Sequence, residues 1–132
     1  MNIEKNTYNL LKTGLDASTT RNKAITHNIT NVNTKGYKKF EVVFEENLQN
    51  INASGNNMKK TDVKHLDSNG KNGNNLIEVV QNESGQMTAD GNSVDLDMET
   101  MNLVANKMKF DALATEINAR FRLKESVIKG GR

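Results

Sequence analysis

Apolar residues recur at a helical spacing along the first 33 residues of the chain. The spacing alternates between three and four, which is the heptad pattern of a helix packed lengthwise on a partner helix. The row consists of Tyr8, Leu11, Leu15, Ser18, Asn22, Ile25, Ile29 and Val32. It is apolar at both ends, and a polar residue within it, such as Asn22, would fix the register of the pair. Gly36 can adopt a positive φ, so we expect the helix to stop between Asn33 and Gly36.

A second helical pattern extends from Asp97 to about Lys129. Asp97 is a suitable N-cap for this helix, and Gly130 is a suitable end. The apolar stripe consists of Leu103, Phe110, Leu113, Ile117, Phe121 and Ile128, and it is widened by Met101, Ala105, Met108 and Ala112. Such a stripe is wider than one partner helix can cover. The pattern therefore predicts contacts with neighbouring copies of the chain.

Both predicted helices are unusually long. Roughly 30 residues at 1.5 Å each give a length of about 45 Å, whereas globular helices average about 11–12 residues. Two such helices joined by a polar middle favour a hairpin. Gly14 lies inside the first helix, where glycine costs about 1 kcal/mol relative to alanine. We therefore expect either a close approach to the backbone at Gly14 or a break in the helix.

The segment between the two helices is polar. Over residues 49–93, Asn and Gly supply 15 of 45 positions, which leaves few residues for a core. Two apolar islands interrupt it, Thr61–Leu66 and Leu76–Val80, and the second could pair as a strand. Residues 38–48 fit a short strand or an extended arm, with helix possible from Phe44 to Leu48. The alternating apolar residues there are Phe40, Val42 and Phe44.

These patterns predict a mainly α fold. Two long terminal helices form a coiled-coil-like hairpin, and an Asn/Gly-rich middle is partly extended or disordered. We expect a single domain made of an N-terminal core helix (1–33), a turn and extended arm (34–48), a polar middle with short β elements (49–96) and a C-terminal core helix (97–132).

Composition narrows the chemistry. The 132 residues include no Cys, which excludes disulfides and thiolate sites. The acidic residues lie in solvated groups without a shielded pocket, so we expect no enzyme activity, no cofactor and no metal. No apolar run approaches the roughly 18 residues that span a bilayer, and we expect no cleaved signal peptide, because the first ten residues are polar.

Three weaker patterns have ordinary explanations. Residues 90–95 depart from a calcium loop, because Asp95 stands where glycine is required. His27 and His65 lie on different segments without the spacing of zinc ligands. A short basic and aromatic patch could contact phosphates, but acidic residues follow it, so we expect a solvated turn or a contact to an acidic partner. The patch consists of Lys35, Tyr37, Lys38 and Lys39.

Residues 14–38 resemble the N-terminal signature of bacterial flagellar axial proteins, which form the rod, the hook and the hook–filament junction. In that family, a helix with a Gly-Leu pair and a later Arg ends in an Asn-Ile/Leu-Ala-Asn motif, followed by Asn-Thr-Pro-Gly-Tyr-Lys. Thr30 replaces the usual Ala and Lys35 the usual Pro, which makes the turn less rigid. The matching residues are Asn28, Asn31, Thr34, Gly36 and Tyr37.

Three further segments extend the resemblance: Phe40–Leu48, Thr61–Leu66 and Asp90–Glu99. With the short length, they favour a proximal rod subunit over a neighbouring rod protein of the family, or over a small coiled-coil binding module. The resemblance implies export without a cleaved signal through the flagellar type III apparatus. It also implies polymerisation in a rod that crosses the periplasm and transmits torque from the membrane ring to the hook. The implied partners are other rod proteins, the rod-base adaptor, the membrane ring and the export gate, without nucleic acid or membrane insertion.

The resemblance and the helical pattern together suggest two sets of functional residues. One is an export-gate motif formed by Phe44 and Leu48, for which the alternative is simple packing on the helices. The other is an assembly interface on the terminal helices, formed by Leu11, Leu15, Ile25, Ile29, Asn31, Val32, Leu103, Phe110, Leu113, Ile117 and Phe121.

Overall fold

The computed structural model describes residues 2–53, 76–82 and 91–130. The described chain is mainly helical, with a long helix at each end, which confirms the predicted fold class. The elements in chain order are α1 (Asn2–Thr30), β1 (Phe40–Val43), α2 (Glu45–Ala53), β2 (Glu78–Gln81) and α3 (Leu96–Ile128). The chain divides into two compact units, one comprising Met1–Val42 with Val79–Arg132 and the other Val43–Glu78.

In the first unit, α1 and α3 pack side by side in opposite directions. The rings of Tyr8 and Phe121 meet edge to face, with centroids 5.2 Å apart. Towards the other end of α1, Ser18 bonds to Asn106, and Asn28 bonds to Glu99. Because contacts later in α1 meet residues earlier in α3, the two helices form an antiparallel hairpin.

Gly14 lies where α3 comes close to the backbone of α1. A Cβ atom at this position would lie 3.2 Å from Cδ1 of Leu113, which is tighter than an ordinary contact. The helix continues through Gly14 without a break. Of the two explanations offered for this glycine, close approach is therefore the correct one.

The row of α1 residues that faces α3 differs in part from the predicted one. Asn22, expected within the row, is exposed. The buried α1 residues are instead Gly14, Ala17, Ser18, Ala24, Ile25 and Asn28. An α-helix drifts by about 20° per heptad from an exact 3.5-residue repeat, and contact at Gly14 and Asn28 turns that side of α1 inwards. The expectation that Asn22 fixes the register was therefore wrong.

Both long helices end at identifiable signals. α1 ends at Thr30, three residues earlier than expected, and the following turns reach Gly36, whose φ is +70° as predicted. The N-cap of α3 is Asp95 and not Asp97, because the Asp95 carboxylate accepts hydrogen bonds from the N–H groups of Asp97 and Met98. Gly130, with a φ of +72°, follows the end of α3.

Two short strands lie between the long helices. β1 and β2 pair in a two-stranded sheet, so the alternation around Phe40 and the island at 76–80 both gave strands. The island Thr61–Leu66 lies outside the described residues.

The second unit contains α2, the helix left open as a possibility after Phe44. Within this unit, the Asn47 side-chain amide donates to the carbonyl of Leu76 over 3.3 Å. None of the helices in the described ranges carries an apolar stretch long enough to cross a membrane.

Candidate assembly surface

Asn28, near the end of α1, is 1% exposed and uses all its hydrogen-bonding capacity. Its Nδ2 donates to the carbonyl of Phe40 over 2.8 Å and to Oε2 of Glu99 over 3.1 Å. Its Oδ1 accepts from the N–H of Phe40 over 2.8 Å and from the Tyr37 hydroxyl over 3.1 Å. Since Phe40 offers both a donor and an acceptor, the amide has one possible orientation. Asn28 thus joins α1, β1 and α3.

Tyr37 extends this network to His27. Because the hydroxyl hydrogen of Tyr37 goes to Asn28, the Nδ1 atom of His27 must carry the hydrogen shared over 2.7 Å with the Tyr37 oxygen. The rings of His27 and Phe40 pack edge to face, with centroids 5.5 Å apart. Burial and, second, the negative charge of Glu99 raise the pKa of Tyr37 above its ordinary value. The phenol therefore remains a hydrogen-bond donor at neutral pH.

Residues 91–95 close the other side of this site. The Asn92 amide donates to three carbonyls at the end of α1, those of Asn31, Val32 and Thr34, over 2.6–3.2 Å. These carbonyls belong to the turn that follows α1, so Asn92 ties that turn to the start of α3. The Ser93 hydroxyl accepts from the N–H of Lys39 over 2.9 Å. We call residues 27–40 together with 91–99 the helix junction.

The remaining motif residues shape the turn inside the helix junction. The Asn31 amide donates to the carbonyl of His27 over 2.8 Å, and Thr34 donates to the Asn31 oxygen over 3.3 Å. Gly36 lies against Gly91, where an added Cβ would be 3.7 Å from Cα of Gly36. The Thr30 hydroxyl, which replaces the family's usual alanine, donates to the carbonyl of His27 over 2.9 Å. The structure therefore brings the five predicted motif residues together.

Sequence reasoning missed the roles of Asn92, Ser93 and Glu99 in the helix junction. All three are buried polar residues. Their signal was the motif Asp90–Glu99, which matched the family but carried no role for individual residues. These polar residues lie inside a recognised motif, next to the predicted start of a helix. That position could have indicated a structural role for them.

The predicted assembly residues of α1 differ in how far they remain accessible. Ile25 is 4% exposed, so this chain already covers it. The other predicted positions on or just after α1 are half-buried, namely Leu11, Leu15, Ile29, Asn31 and Val32. These five positions therefore remain partly accessible on the subunit.

The predicted residues of α3 divide between two faces. Leu103, Leu113 and Ile117 are half-buried, whereas Phe110 and Phe121 are 40% and 55% exposed. Other large apolar residues on the opposite side of α3 are 52–80% exposed, and we call them the outer face of α3: Met98, Met101, Val104, Met108, Leu123 and Val127. Sequence reasoning missed Met98, Val104, Leu123 and Val127, because they do not follow the heptad row that faces α1.

The two residues of the predicted export-gate motif lie at the start of α2. Phe44 is buried, Leu48 is half-buried, and the N–H of Leu48 donates to the carbonyl of Phe44 over 2.9 Å. Among the described residues, no group of three or more His, Cys, Asp or Glu side chains is placed to hold a metal ion.

Comparison with known proteins identifies the class. No family profile matches the chain. The chain is 32% identical to the flagellar basal body rod protein FlgB of Bacillus subtilis (strain 168), with all of both chains covered. It is 31% identical to the FlgB of Borrelia hermsii, covering 98% of this chain and 100% of that one. It is 26% identical to the FlgB of Proteus mirabilis, covering 96% of each chain.

These relatives are all flagellar basal body rod proteins. Within that class, this chain belongs to the FlgB family. The resemblance of its N-terminal helix and turn to flagellar axial proteins is thereby confirmed.

Proposed function

We propose that the chain is a structural subunit of the proximal rod, located in the flagellar basal body. It is exported by the flagellar type III apparatus and polymerises through its terminal helices. The rod it forms crosses the periplasm and transmits torque from the membrane ring to the hook. The observation that carries this proposal is the apolar outer face of α3, which the described chain leaves exposed.

An ordinary surface helix buries its large apolar residues and exposes its polar ones, and α3 shows the opposite pattern. Its buried residues in the described structure are Glu99 and Asn106, whereas Met101 and Met108 are 68% and 67% exposed. Several large apolar side chains exposed on one side of a helix are typical of protein–protein contact sites. When one surface of a subunit binds a different surface of the next copy, the contact repeats and builds an open helical polymer. The outer face of α3 thus supports self-assembly through the terminal helices.

The partners of the subunit follow from this proposal. They are other copies of the chain, other rod proteins, the rod-base adaptor, the membrane ring and the export gate. The proposed role needs no cofactor, catalysis, nucleic acid or membrane insertion.

The outer face can be tested by placing a charge on it. Met108→Asp should abolish swarming and remove the chain from purified hook–basal bodies, because an unpaired charge buried at an interface costs several kcal/mol. Asn118→Asp is the matched control, since it adds the same charge to an exposed polar position of the same helix and should leave both readouts normal. Normal motility of the Met108→Asp strain would contradict assembly through this face.

A second experiment tests export. Phe44→Ala should lower the fraction of the chain that reaches the culture medium if Phe44 and Leu48 are read by the export gate. Glu46→Ala, an exposed change in the first turn of α2, is the control and should be secreted normally. Unchanged secretion of Phe44→Ala would assign Phe44 and Leu48 to packing alone.

A further inference from the structure

The buried contacts between α1 and α3 include two polar pairs. The Ser18 hydroxyl donates to Oδ1 of Asn106 over 2.9 Å, and the Asn106 amide donates back to the carbonyl of Ser18 over 2.8 Å. Asn28 donates to Glu99 over 3.1 Å. All four residues are buried, and Glu99 and Asn106 are the buried residues of α3. The Ser18–Asn106 pair therefore lies within the length of the contact between the two helices, and the Asn28–Glu99 pair lies at its end in the helix junction.

The apolar row of α3 does not distinguish one register from another. Its members repeat every seven residues, so a slide of α3 by seven residues replaces three of the four with another apolar side chain. The row consists of Leu96, Leu103, Phe110 and Ile117. Hydrophobic burial is non-directional, so this row attracts α1 in any of these registers.

The second row of α3 does distinguish them. It also repeats every seven residues, and its members are Glu99, Asn106 and Leu113. In the observed register they meet Asn28, Ser18 and Gly14, in that order. A slide of seven residues would place Leu113 or Glu99 against Ser18. In either case the buried Ser18 carbonyl would lose the Asn106 amide that donates to it, because neither Leu113 nor the Glu99 carboxylate can donate, and this loss is costly.

We propose that the pairs Ser18–Asn106 and Asn28–Glu99 select the register of α1 against α3, while the apolar row supplies attraction without selecting it. A buried polar residue in a coiled-coil seam has this effect in general, at some cost in stability. The helix junction restrains one end of the hairpin, and the Ser18–Asn106 pair extends the same register along the helices. If the proposed function holds, the register also sets where the outer face of α3 meets the next subunit.

Spin-label distance measurements on the full chain test the proposal. The chain has no Cys, so cysteines introduced at Lys12 and Asn102, both exposed, are the sole labelling sites. A slide of seven residues moves one label by about 10 Å along the hairpin axis. The chain with both polar pairs intact should give one narrow distance. A broad or multiple distribution would overturn the proposal.

The decisive variant combines Ser18→Ala with Asn106→Leu and Glu99→Leu, which removes both polar pairs, makes every member of the second row leucine and leaves residues 91–95 unchanged. We expect the helical content to persist and the single distance to split into two or more populations. A single unchanged distance would overturn the proposal, since the pairs would then be irrelevant to register. A loss of helical content would also overturn it, since the pairs would then be needed for the fold itself.

Two controls separate register from stability. Ser18→Asn with Asn106→Ser exchanges the partners and should restore the single distance, so failure to restore it counts against the proposal. Leu103→Ala weakens the apolar row and should lower the thermal midpoint while keeping the single distance. The readouts do not require assembly, so they decide this inference even if the chain forms no rod.

Discussion

A single amide, that of Asn28, joins three segments that are far apart in the sequence. It satisfies both backbone groups of Phe40 and one carboxylate oxygen of Glu99, and it accepts from Tyr37. No other side chain of similar size offers two donors and two acceptors in this geometry. This explains at the residue level why the helix junction requires an asparagine at position 28.

Replacing Asn28 by alanine should lower the free energy of unfolding by about 1–3 kcal/mol, the usual cost of a buried polar group left without its partner. Urea denaturation followed by far-UV circular dichroism measures this change. Asn22→Ala is the matched control, because Asn22 is an exposed asparagine on the same helix and should have little effect. Equal stability of the two variants would refute the role of Asn28.

The Tyr37 phenol provides a pH test of the same site. With Tyr8 replaced by Phe, Tyr37 is the remaining tyrosine, and its ultraviolet titration should have a midpoint above the ordinary pKa of 10.0. Glu99→Gln should lower this pKa, although it should stay raised because burial is the larger cause. The associated stabilisation is complete below the unfolded pKa and is lost as the pH rises through the folded pKa. A midpoint at the ordinary value would contradict the described burial.

At the scale of elements, α1 and α3 show which features of the fold are determined by residues that lie close together in the sequence. Heptad spacing is a property of consecutive residues, so it predicted both helices and their side-by-side packing. The sequence predicted Asp97 as the N-cap, whereas the structure has Asp95 in that position, where its backbone is extended, with φ −105° and ψ 116°. The face of α1 that turns inwards depended on Gly14 and Asn28 meeting α3, which spacing within α1 does not encode.

Gly14→Val should destabilise the hairpin by about 1–3 kcal/mol, the range for overpacking a well-packed contact. The reason is the 3.2 Å separation between a Cβ at this position and Leu113. Adding Leu113→Ala to the variant should recover part of the loss if the clash is the cause. Thermal unfolding of the single and double variants gives the answer, and additive losses would point to another cause.

Charges on the apolar stripe of α3, which includes Phe110 and Ile117, should prevent assembly. Phe110→Asp and Ile117→Asp both place a carboxylate on this stripe, but Ile117 is half-buried whereas Phe110 is 40% exposed. We therefore expect Ile117→Asp to reduce the helical content of the isolated chain more than Phe110→Asp does. Motility assays and circular dichroism of both variants check this, and normal swarming of either strain would be inconsistent with the interface.

At the scale of the whole molecule, the fold class could be predicted from the sequence but the polar contacts could not. Asn92 bonds to three carbonyls about 60 residues earlier in the chain, and a contact of that range depends on the tertiary structure. The same holds for Ser18 and Asn106, which lie 88 residues apart. The family motifs indicated which segments carry functional or structural residues. The hydrogen-bonding role of each residue became clear only from the packing of α1 against α3.

Mass spectrometry of hook–basal bodies, stripped of membrane and filament, should detect this chain alongside other rod proteins. The reason is that a rod subunit remains in the particle, whereas an export-only factor or binding module is washed away. A strain lacking the chain is the matched control. Absence of the chain from particles that contain other rod proteins would exclude a stable place in the rod.

The reversed burial of α3 has a consequence for how stable the subunit is in different surroundings. If neighbouring copies cover the outer face of α3, as proposed, the folded form is stabilised by mass action, because the neighbours bind the folded chain and not the unfolded one. Its thermal midpoint should therefore rise with protein concentration. A dilute subunit should have a low free energy of unfolding. The same subunit should have a higher one when it is packed among many copies.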